Sequence, residues 1–506
     1  MENRGQWGSN VGFLLAAIGS AIGLGNIWRF PYVAYKSGGG AFLIPYVLAL
    51  VTVGIPILML ELSLGNKLRS SAPKAFRIIS KKFEWLGWWA VTFVMFGIEM
   101  YYIVIIGWCA NFIVFSLTKA WGTDPNGFFF GKFLGMGGEP LSFNGISWVV
   151  IAAIAVIWLV NWLITYRGIE KGIEKAVKIM MPLLFIITII IIVWSLFLPG
   201  AKTGISHYVK PDFTKITDVK VWIAAFGQIF FSLSLGFGIM IAYASYLPKK
   251  TNIFKNSLII GFSNSGYEVF AGFGVFSILG YMATQQGAAI QDVVQSSIGL
   301  AFVAYPKAIS LLPFGTLFGV LFFFLLCIAG VSSSISIIEA FSSAMIDKFN
   351  IPRHKTINTV CLVGFVGSMI FTAKNCGLQM LDIVDHFINQ YGLITVGVVE
   401  AIIIGWLFKT DLLKDHMESN IPDGGNKKMF MTLLKLWKYC IKFITPLALG
   451  VAIIFSLIEE FTKPYEGYPV KWLLILGVGW LLATFILALI FSSKPWKNKI
   501  EQIPEN

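Results

Sequence analysis

Charge is what this chain has least of. Only 13% of its 506 residues are Asp, Glu, Lys or Arg, about half the ~25% usual in soluble domains. Histidine occurs four times, without metal-ligand spacing. Five cysteines (Cys109, Cys327, Cys361, Cys376, Cys440) form no CxxC pair, so neither a metal knuckle nor a disulfide framework is indicated. GxSxG, HExxH and P-loop patterns are all missing. A membrane-embedded enzyme would have no nucleophile–base or metal constellation to use, so no enzyme is expected. Residues 1–8 make no cleavable leader, and the first apolar run is expected to be its own insertion signal.

What replaces charge is hydrocarbon: 57% of residues are hydrophobic. Runs near the ~20 residues needed to cross a bilayer recur along the whole chain. They fall at 10–36, 40–64, 85–117, 146–165, 173–198, 221–247, 255–282, 312–345, 355–373, 380–407, 430–458 and 471–492. The expected fold is an all-α polytopic membrane protein with about twelve transmembrane helices. The formal net charge of +13 does not speak for nucleic acid, because the basic residues sit in short loops. Lys67, Arg69, Lys74, Arg77, Lys81 and Lys82 form the strongest such loop. Arg167 to Lys178, Lys249 to Lys255, Lys348 to Lys355 and the 494–499 tail follow by alternation. The positive-inside rule then puts both termini in the cytoplasm. On the other side, 118–145 is Gly-rich and 199–220 holds Pro199, Gly200 and Pro211. Residues 285–312, amphipathic over 288–304, read as a re-entrant helical lid.

Two spans are interrupted. Ala16 to Asn26 (AAIGSAIGLGN) carries three glycines, a serine and an asparagine, and then runs into Arg29. Glycine costs a helix about 1 kcal/mol relative to alanine. Unwound backbone at bilayer depth is tolerated only in protein or along a cavity. A small-residue packing face is the plainer alternative, but it leaves Asn26 and Arg29 without a reason. The sixth run has a matching interruption, Gln228 to Gly238 (QIFFSLSLGFG). Two broken spans, each opening a set of five, are the sign of a 5+5 inverted-repeat transporter with its site at the midplane. Residues 1–200 would form the first repeat, 201–410 the second, and 411–506 the last two spans and tail.

Broken helices offer carbonyls to a small cation and N–H groups to a carboxylate. Neutral oxygens for a hard cation lie elsewhere in the spans: Asn264, and the run Ser332, Ser333, Ser334 after Ala329-Gly330. Arg29 is positioned to pair with Asp385 or Asp382. Glu61, Glu99, Glu268 and Glu400 lie inside apolar runs, where each must be paired, hydrogen-bonded or protonated.

Over essentially its whole length the chain resembles the neurotransmitter:sodium symporter family, in its prokaryotic amino-acid branch. The resemblance is carried by Gly23-Leu24-Gly25-Asn26-Ile27-Trp28-Arg29-Phe30-Pro31, Gly38 to Phe42, Val221 to Ala225, Gln228 to Gly238, Ala242 to Tyr246 and Ala329 to Ser334. It implies sodium-coupled symport of a small amino acid by alternating access in a prokaryotic plasma membrane, with lipid as the surroundings and room for a homodimer. One sodium would be held by the Ala21 carbonyl, Asn26, Ser232 and Asn264, with the substrate carboxylate. The other would take the carbonyls of Gly19, Ile22 and Ala329 and the hydroxyls of Ser332 and Ser333. Substrate would lie among Ala21, Leu24, Gly25, Ile98, Tyr102, Phe231, Ser232, Ser234, Phe237, Ser333 and Ile337. Tyr102 and Phe231 would lid it. Arg29 and Asp385 would form the outer gate, and Arg4, Trp7, Tyr246 and Asp347 the inner one.

Gly23 stands where the family's amine transporters carry an aspartate, which implies a substrate that brings its own carboxylate. Ile98, Phe231, Phe237 and Ile337 offer a side chain no charged partner, so an apolar one is expected. It is expected to be aliphatic, with an aromatic amino acid or a sensor role on the same scaffold as the alternatives. Glu268 stands where chloride-dependent relatives have serine, which implies chloride independence and leaves proton exchange open. Glu99, small and apolar in a relative, should point about 100° away from the pocket. It reads first as a structural partner to another helix, with a proton site as the alternative. Gly172 to Pro182 resembles a stretch that unwinds to admit water, a proline kink being the simpler reading.

Overall fold

The computed structural model describes residues 5–137, 139–294, 297–421, 427–498 and 500. It is built almost wholly of helices. Ten of these are long and apolar enough to cross a membrane on their own: Gly39–Leu68, Lys81–Thr118, Trp148–Tyr166, Ile169–Leu196, Ile253–Gln286, Gly315–Phe349, Arg353–Thr372, Cys376–Leu407, Met429–Gly467 and Val470–Ser493. An eleventh crossing is the pair Asn10–Ala21 and Leu24–Lys36, bent by 53°. The expected sixth span is not one helix. Val219–Ser232 ends at mid-depth, residues 233–238 leave the helix, and Ile239–Ala244 resumes it. The spans are counted below in chain order, with these two broken ones as the first and sixth.

The third and eighth spans (Lys81–Thr118 and Gly315–Phe349) are enclosed by the others, whereas the eleventh and twelfth present most of their surface outward. Small residues let the enclosed helices approach. A Cβ on Gly330 would lie 2.5 Å from Ile106 of the third span, and one on Gly65 2.1 Å from the Ile241 carbonyl. Outward-facing Leu447, Phe461, Leu474 and Leu482 are exposed apolar side chains, as a lipid-facing belt requires.

Segments expected as plain loops are partly ordered. Ala72–Ile79 and Ala201–Val209 are helices, and Phe143–Ile146 pairs antiparallel with Ala373–Asn375. Residues 285–312 depart from the expected amphipathic lid over 288–304. The seventh span continues to Gln286, and the apolar helix is Leu300–Leu311. That helix is packed into the protein: Phe302 is fully buried, stacks on Phe129 at 4.9 Å and meets Trp108 at 5.9 Å. The Gly172 to Pro182 stretch is helical throughout, with a π-turn at Ile169–Glu174.

Candidate functional site

The first helix starts cleanly, with Ser9 accepting from the Gly12 N–H at 3.0 Å, and runs as far as Ala21. Ile22 and Gly23 are then extended (ψ 94° and −168°). The Asn26 side chain caps the restart by accepting from the Gly23 N–H at 2.9 Å. In the sixth span the chain turns through Ser234, Gly236 and Gly238, all at positive φ (53°, 73°, 68°). Two of those three are glycine, for which the conformation is cheap. The serine is the exception, and its side chain explains it: Ser234 Oγ donates to the Ser20 carbonyl at 3.1 Å. The two breaks are thus tied to each other. Glu61, from the second span, accepts from the Gly236 N–H at 2.6 Å and fixes the far end of the turn.

Around the breaks lies a cavity of about 310 Å³. Every residue expected around the substrate lines it: Ala21, Leu24, Gly25, Ile98, Tyr102, Phe231, Ser232, Ser234, Phe237, Ser333 and Ile337. The cavity continues past Arg29 and Asp385 to Asp382, His386 and Tyr465, on the face opposite the basic loops. Arg29 and Asp385 flank this passage but do not pair as expected. The Arg29 guanidinium lies 5.1 Å from the centroid of the Phe231 ring. Asp385 instead accepts from the Tyr101 hydroxyl at 2.5 Å and from Asn389 at 2.7 Å. Tyr102 accepts from the Leu24 N–H at 3.4 Å. The passage toward that face is therefore open.

Two clusters of neutral oxygens flank the cavity. In one, Asn26 Nδ2 donates to Asn264 Oδ1 at 2.8 Å and to Ser232 Oγ at 3.4 Å, and Asn264 Nδ2 donates to Ser232 Oγ at 2.5 Å. All three side chains are buried. Beside them Glu268 accepts from Gln228 at 2.9 Å and from the Tyr46 hydroxyl. In the other cluster, Ser332 Oγ lies 2.8 Å from the Gly19 carbonyl and 2.9 Å from that of Ala329. Ser333 Oγ lies 3.1 Å from the Ser20 carbonyl. A Cβ on Gly19 would come within 2.7 Å of Met181 Sδ, so the first helix is seated tightly here. Hard, weakly binding cations prefer such oxygen donors, and the residues present fit an alkali cation in each place.

The basic face is closed. Trp7 is buried, its indole donating to the Tyr243 carbonyl at 2.9 Å and its backbone to that of Tyr246 at 3.3 Å. Tyr246 donates to Glu339 at 2.7 Å, and Glu339 forms an ion pair with Arg353. Asp347 accepts from the Ser71 N–H at 2.8 Å. Arg4, the fourth expected inner-gate residue, lies outside the described residues. Sequence reasoning missed three participants. Glu339 and Arg353 are one. Glu174 is another: its two oxygens accept from the Gly8 N–H (2.6 Å) and Ser9 Oγ (2.7 Å). The third is the role of Glu61 at the sixth-span break. Glu339 carried the same signal as Glu61, an acid inside an apolar run, whereas Glu174 sits in the charged stretch 167–178 and carried none.

Comparison with known proteins agrees with this architecture. The model of the sodium:neurotransmitter symporter family matches residues 4–128 and 122–497. An uncharacterised sodium-dependent transporter of Methanocaldococcus jannaschii is 43% identical over 488 residues, covering 96% of this chain and 97% of that one. The human sodium- and chloride-dependent creatine transporter 1 is 30% identical, with 93% of this chain and 80% of its own covered. The human sodium- and chloride-dependent GABA transporter 2 is 29% identical, with 99% and 89% covered. This chain belongs to the sodium:neurotransmitter symporter family, an integral membrane transporter that couples the movement of a small molecule to sodium.

Proposed function

We propose that the protein carries an apolar α-amino acid into the cell together with sodium bound at two sites, without needing chloride. The observation that carries this reading is the junction of the two breaks. Ser234 of the sixth span holds the Ser20 carbonyl of the first, with an oxygen cluster on either side and one cavity between. The substrate carboxylate would complete the shell of a sodium held by the Ala21 carbonyl, Asn26, Ser232 and Asn264. The second sodium would sit among the carbonyls of Gly19, Ile22 and Ala329 and the hydroxyls of Ser332 and Ser333. A cation held by both repeats stabilises one arrangement of them, and so links sodium binding to gate position. The membrane potential adds ~2.3 kcal/mol per charge per 100 mV to uptake.

Residue chemistry supports the substrate class. The GABA and creatine of the relatives' names both carry a carboxylate, as an α-amino acid does. Gly23 faces the Tyr102 and Ser333 hydroxyls and brings no acid of its own. Ile98, Phe231, Phe237 and Ile337 form the apolar end, where an ionised side chain would lose its hydration without a partner. Glu268, beside Asn264 and Ser232, supplies a fixed negative charge in place of chloride. Residues 1–200 and 201–410 act as the two inverted halves, with 411–506 as the added spans. The basic face is cytoplasmic by the loop charges, in a prokaryotic plasma membrane. The conformation described is then open outward and closed inward.

The test is uptake of labelled leucine into proteoliposomes, in competition with a panel of unlabelled amino acids. External sodium is exchanged for potassium, and chloride for gluconate. Sodium-dependent accumulation, competed by apolar amino acids in either anion, supports the reading. Saturable binding without accumulation makes the protein a sensor, and competition by tryptophan and tyrosine alone moves the substrate to the aromatic class.

A further inference from the structure

Away from the breaks, the fourth and ninth spans carry matching stripes. Trp158, Leu159 and Trp162 recur at helical spacing on one, and Asn358, Leu362 and Phe365 on the other. Between them runs an open groove of about 410 Å³. Its floor is the buried Trp158, whose ring fills the place where a Cβ on Gly364 would lie at 2.3 Å, and whose indole donates to Ser368 Oγ at 3.2 Å. Its walls are Leu159 and Leu362, 54% and 64% exposed. Residues 155–162 and 358–365 each rise about 10 Å. That is two-thirds of the ~15 Å that one leaflet contributes to the hydrocarbon core.

The groove ends in polar groups toward the basic face. Trp162 Nε1 donates to Asn358 Oδ1 at 2.8 Å, and Tyr166 lies against Trp162 with ring centroids 5.1 Å apart. Indole and phenol belong at this level, where a membrane turns from hydrocarbon to headgroup. One turn further, Arg353 Nη2 donates to the Thr165 carbonyl at 2.7 Å, so the two helices end at the same depth. Lys355 continues the Asn358 stripe to that end, and Arg167 caps the fourth span. Both are exposed, and among the described residues neither forms an ion pair. The acids nearby are engaged elsewhere. Glu339 is held by Arg353, Glu174 by Gly8, Ser9 and Lys178, and Glu170 lies beside Gly8.

We propose that the groove between the fourth and ninth spans binds an anionic phospholipid from the leaflet on the basic face, with one acyl chain along the groove and the headgroup phosphate on Lys355 and Arg167. An apolar trough that ends in an aromatic pair and two unpaired cations is complementary to a molecule with a hydrocarbon chain and a negative head. Basic pockets between spans on one face of a membrane protein hold acidic headgroups in this way. A zwitterionic headgroup offers these cations no net charge. A second copy of the chain, related by an axis along the membrane normal, would bring its own Lys355 and Arg167 to the same depth, where like charges repel.

The test uses the full-length protein, purified and stripped of lipid in detergent. It is titrated with phosphatidylglycerol or with phosphatidylcholine of the same chains, and bound lipids are counted by native mass spectrometry. The first phosphatidylglycerol is expected to bind about 25-fold tighter than phosphatidylcholine, at about 5-fold for each of two cations, and to stand apart from later additions. Arg167→Gln combined with Lys355→Gln is expected to abolish that preference and leave phosphatidylcholine binding as it was. Lys249→Gln combined with Lys250→Gln removes two charges from the same face away from the groove, and is expected to keep it. Leu362→Trp fills the trough with both cations in place, and is expected to weaken the first phosphatidylglycerol by an order of magnitude. The substituted side chains are exposed, and an unchanged thermal midpoint without lipid confirms that each variant is folded. Equal affinity of the wild type for the two lipids, or a series with no distinct first step, leaves only unselective surrounding lipid and overturns the proposal without any variant. So does an equal loss of preference in the Lys249 and Lys250 variant, or wild-type binding of the first phosphatidylglycerol in Leu362→Trp. A dimer that Leu362→Trp dissociates would make the groove an interface between copies, and overturns it as well.

Discussion

Glu174 holds the Gly8 N–H at 2.6 Å across 166 residues of sequence, and so pins the start of the first span to the π-turn that opens the fifth. Its other oxygen takes the Ser9 hydroxyl and pairs with Lys178 at 2.6 Å. Hydrogen bonds to a charged group are worth about 1.5–3 kcal/mol each. Glu174→Ala is therefore expected to populate the inward-open form and to weaken apparent sodium affinity by the fraction of competent protein lost. Hydrogen exchange of the backbone amides over residues 7–21 should speed up in that variant.

Ser332 Oγ lies within hydrogen-bond reach of two carbonyls, of Gly19 and Ala329, with one proton to donate. Ser332→Ala removes an oxygen of the proposed second sodium site and leaves those carbonyls without it. About 1–3 kcal/mol is at stake, or sodium affinity about 5- to 150-fold weaker. A sodium titration of leucine binding reads this directly. Ser332→Thr keeps the oxygen and should stay close to the wild type.

Gly23 has hydroxyls close by on both sides. A Cβ there would lie 3.1 Å from Tyr102 Oη and 3.3 Å from Ser333 Oγ. Gly23→Asp would set a carboxylate where the substrate carboxylate is proposed to lie, and leucine uptake should then fall by at least an order of magnitude through like-charge repulsion. Competition by amines without a carboxylate should be unchanged or stronger.

Glu268→Ser removes the carboxyl group that lies between Tyr46 and Gln228. Uptake by this variant should require chloride, whereas the wild type should be indifferent to gluconate. The measurement is the ratio of initial rates in the two anions.

Outside the spans, His416 bonds Asn66 at 2.8 Å. Burial, with Lys67 and Lys249 nearby, lowers its pKa from 6.5 to about 4. The folded state thus keeps it neutral where the unfolded chain would bind a proton. Stability should fall as pH drops from about 6.5 toward 4, because the unfolded state takes up more protons in that window. The thermal midpoint in detergent should fall less over that window in His416→Gln.

Much of this was legible because bilayer physics is strict. Runs of Ile, Val, Leu and Phe fixed the crossings, and the clustered glycines and serines at 19–25 and 232–238 marked the breaks. Side-chain partners were less legible. Nothing in the spacing of Glu339 and Arg353 announces that they close the basic face with Tyr246. Arg29 read as a partner for Asp385, yet Tyr101 and Asn389 satisfy that carboxylate while the cavity is open. Which donor a buried carboxylate takes is decided by packing, which no residue pattern specifies. The short elements, Ala201–Val209 and the strand pair Phe143–Ile146 with Ala373–Asn375, are brief enough that tertiary packing rather than local preference decides them.

The central claim is that the oxygens at the two breaks bind sodium and substrate together. Equilibrium binding of labelled leucine to purified protein in detergent, titrated with sodium at constant ionic strength, tests it most directly. The account predicts binding that appears only with sodium, rises with a Hill coefficient above one, and shifts to higher sodium in Asn26→Ala and Ser332→Ala. Leucine binding of equal affinity in sodium and potassium would contradict it.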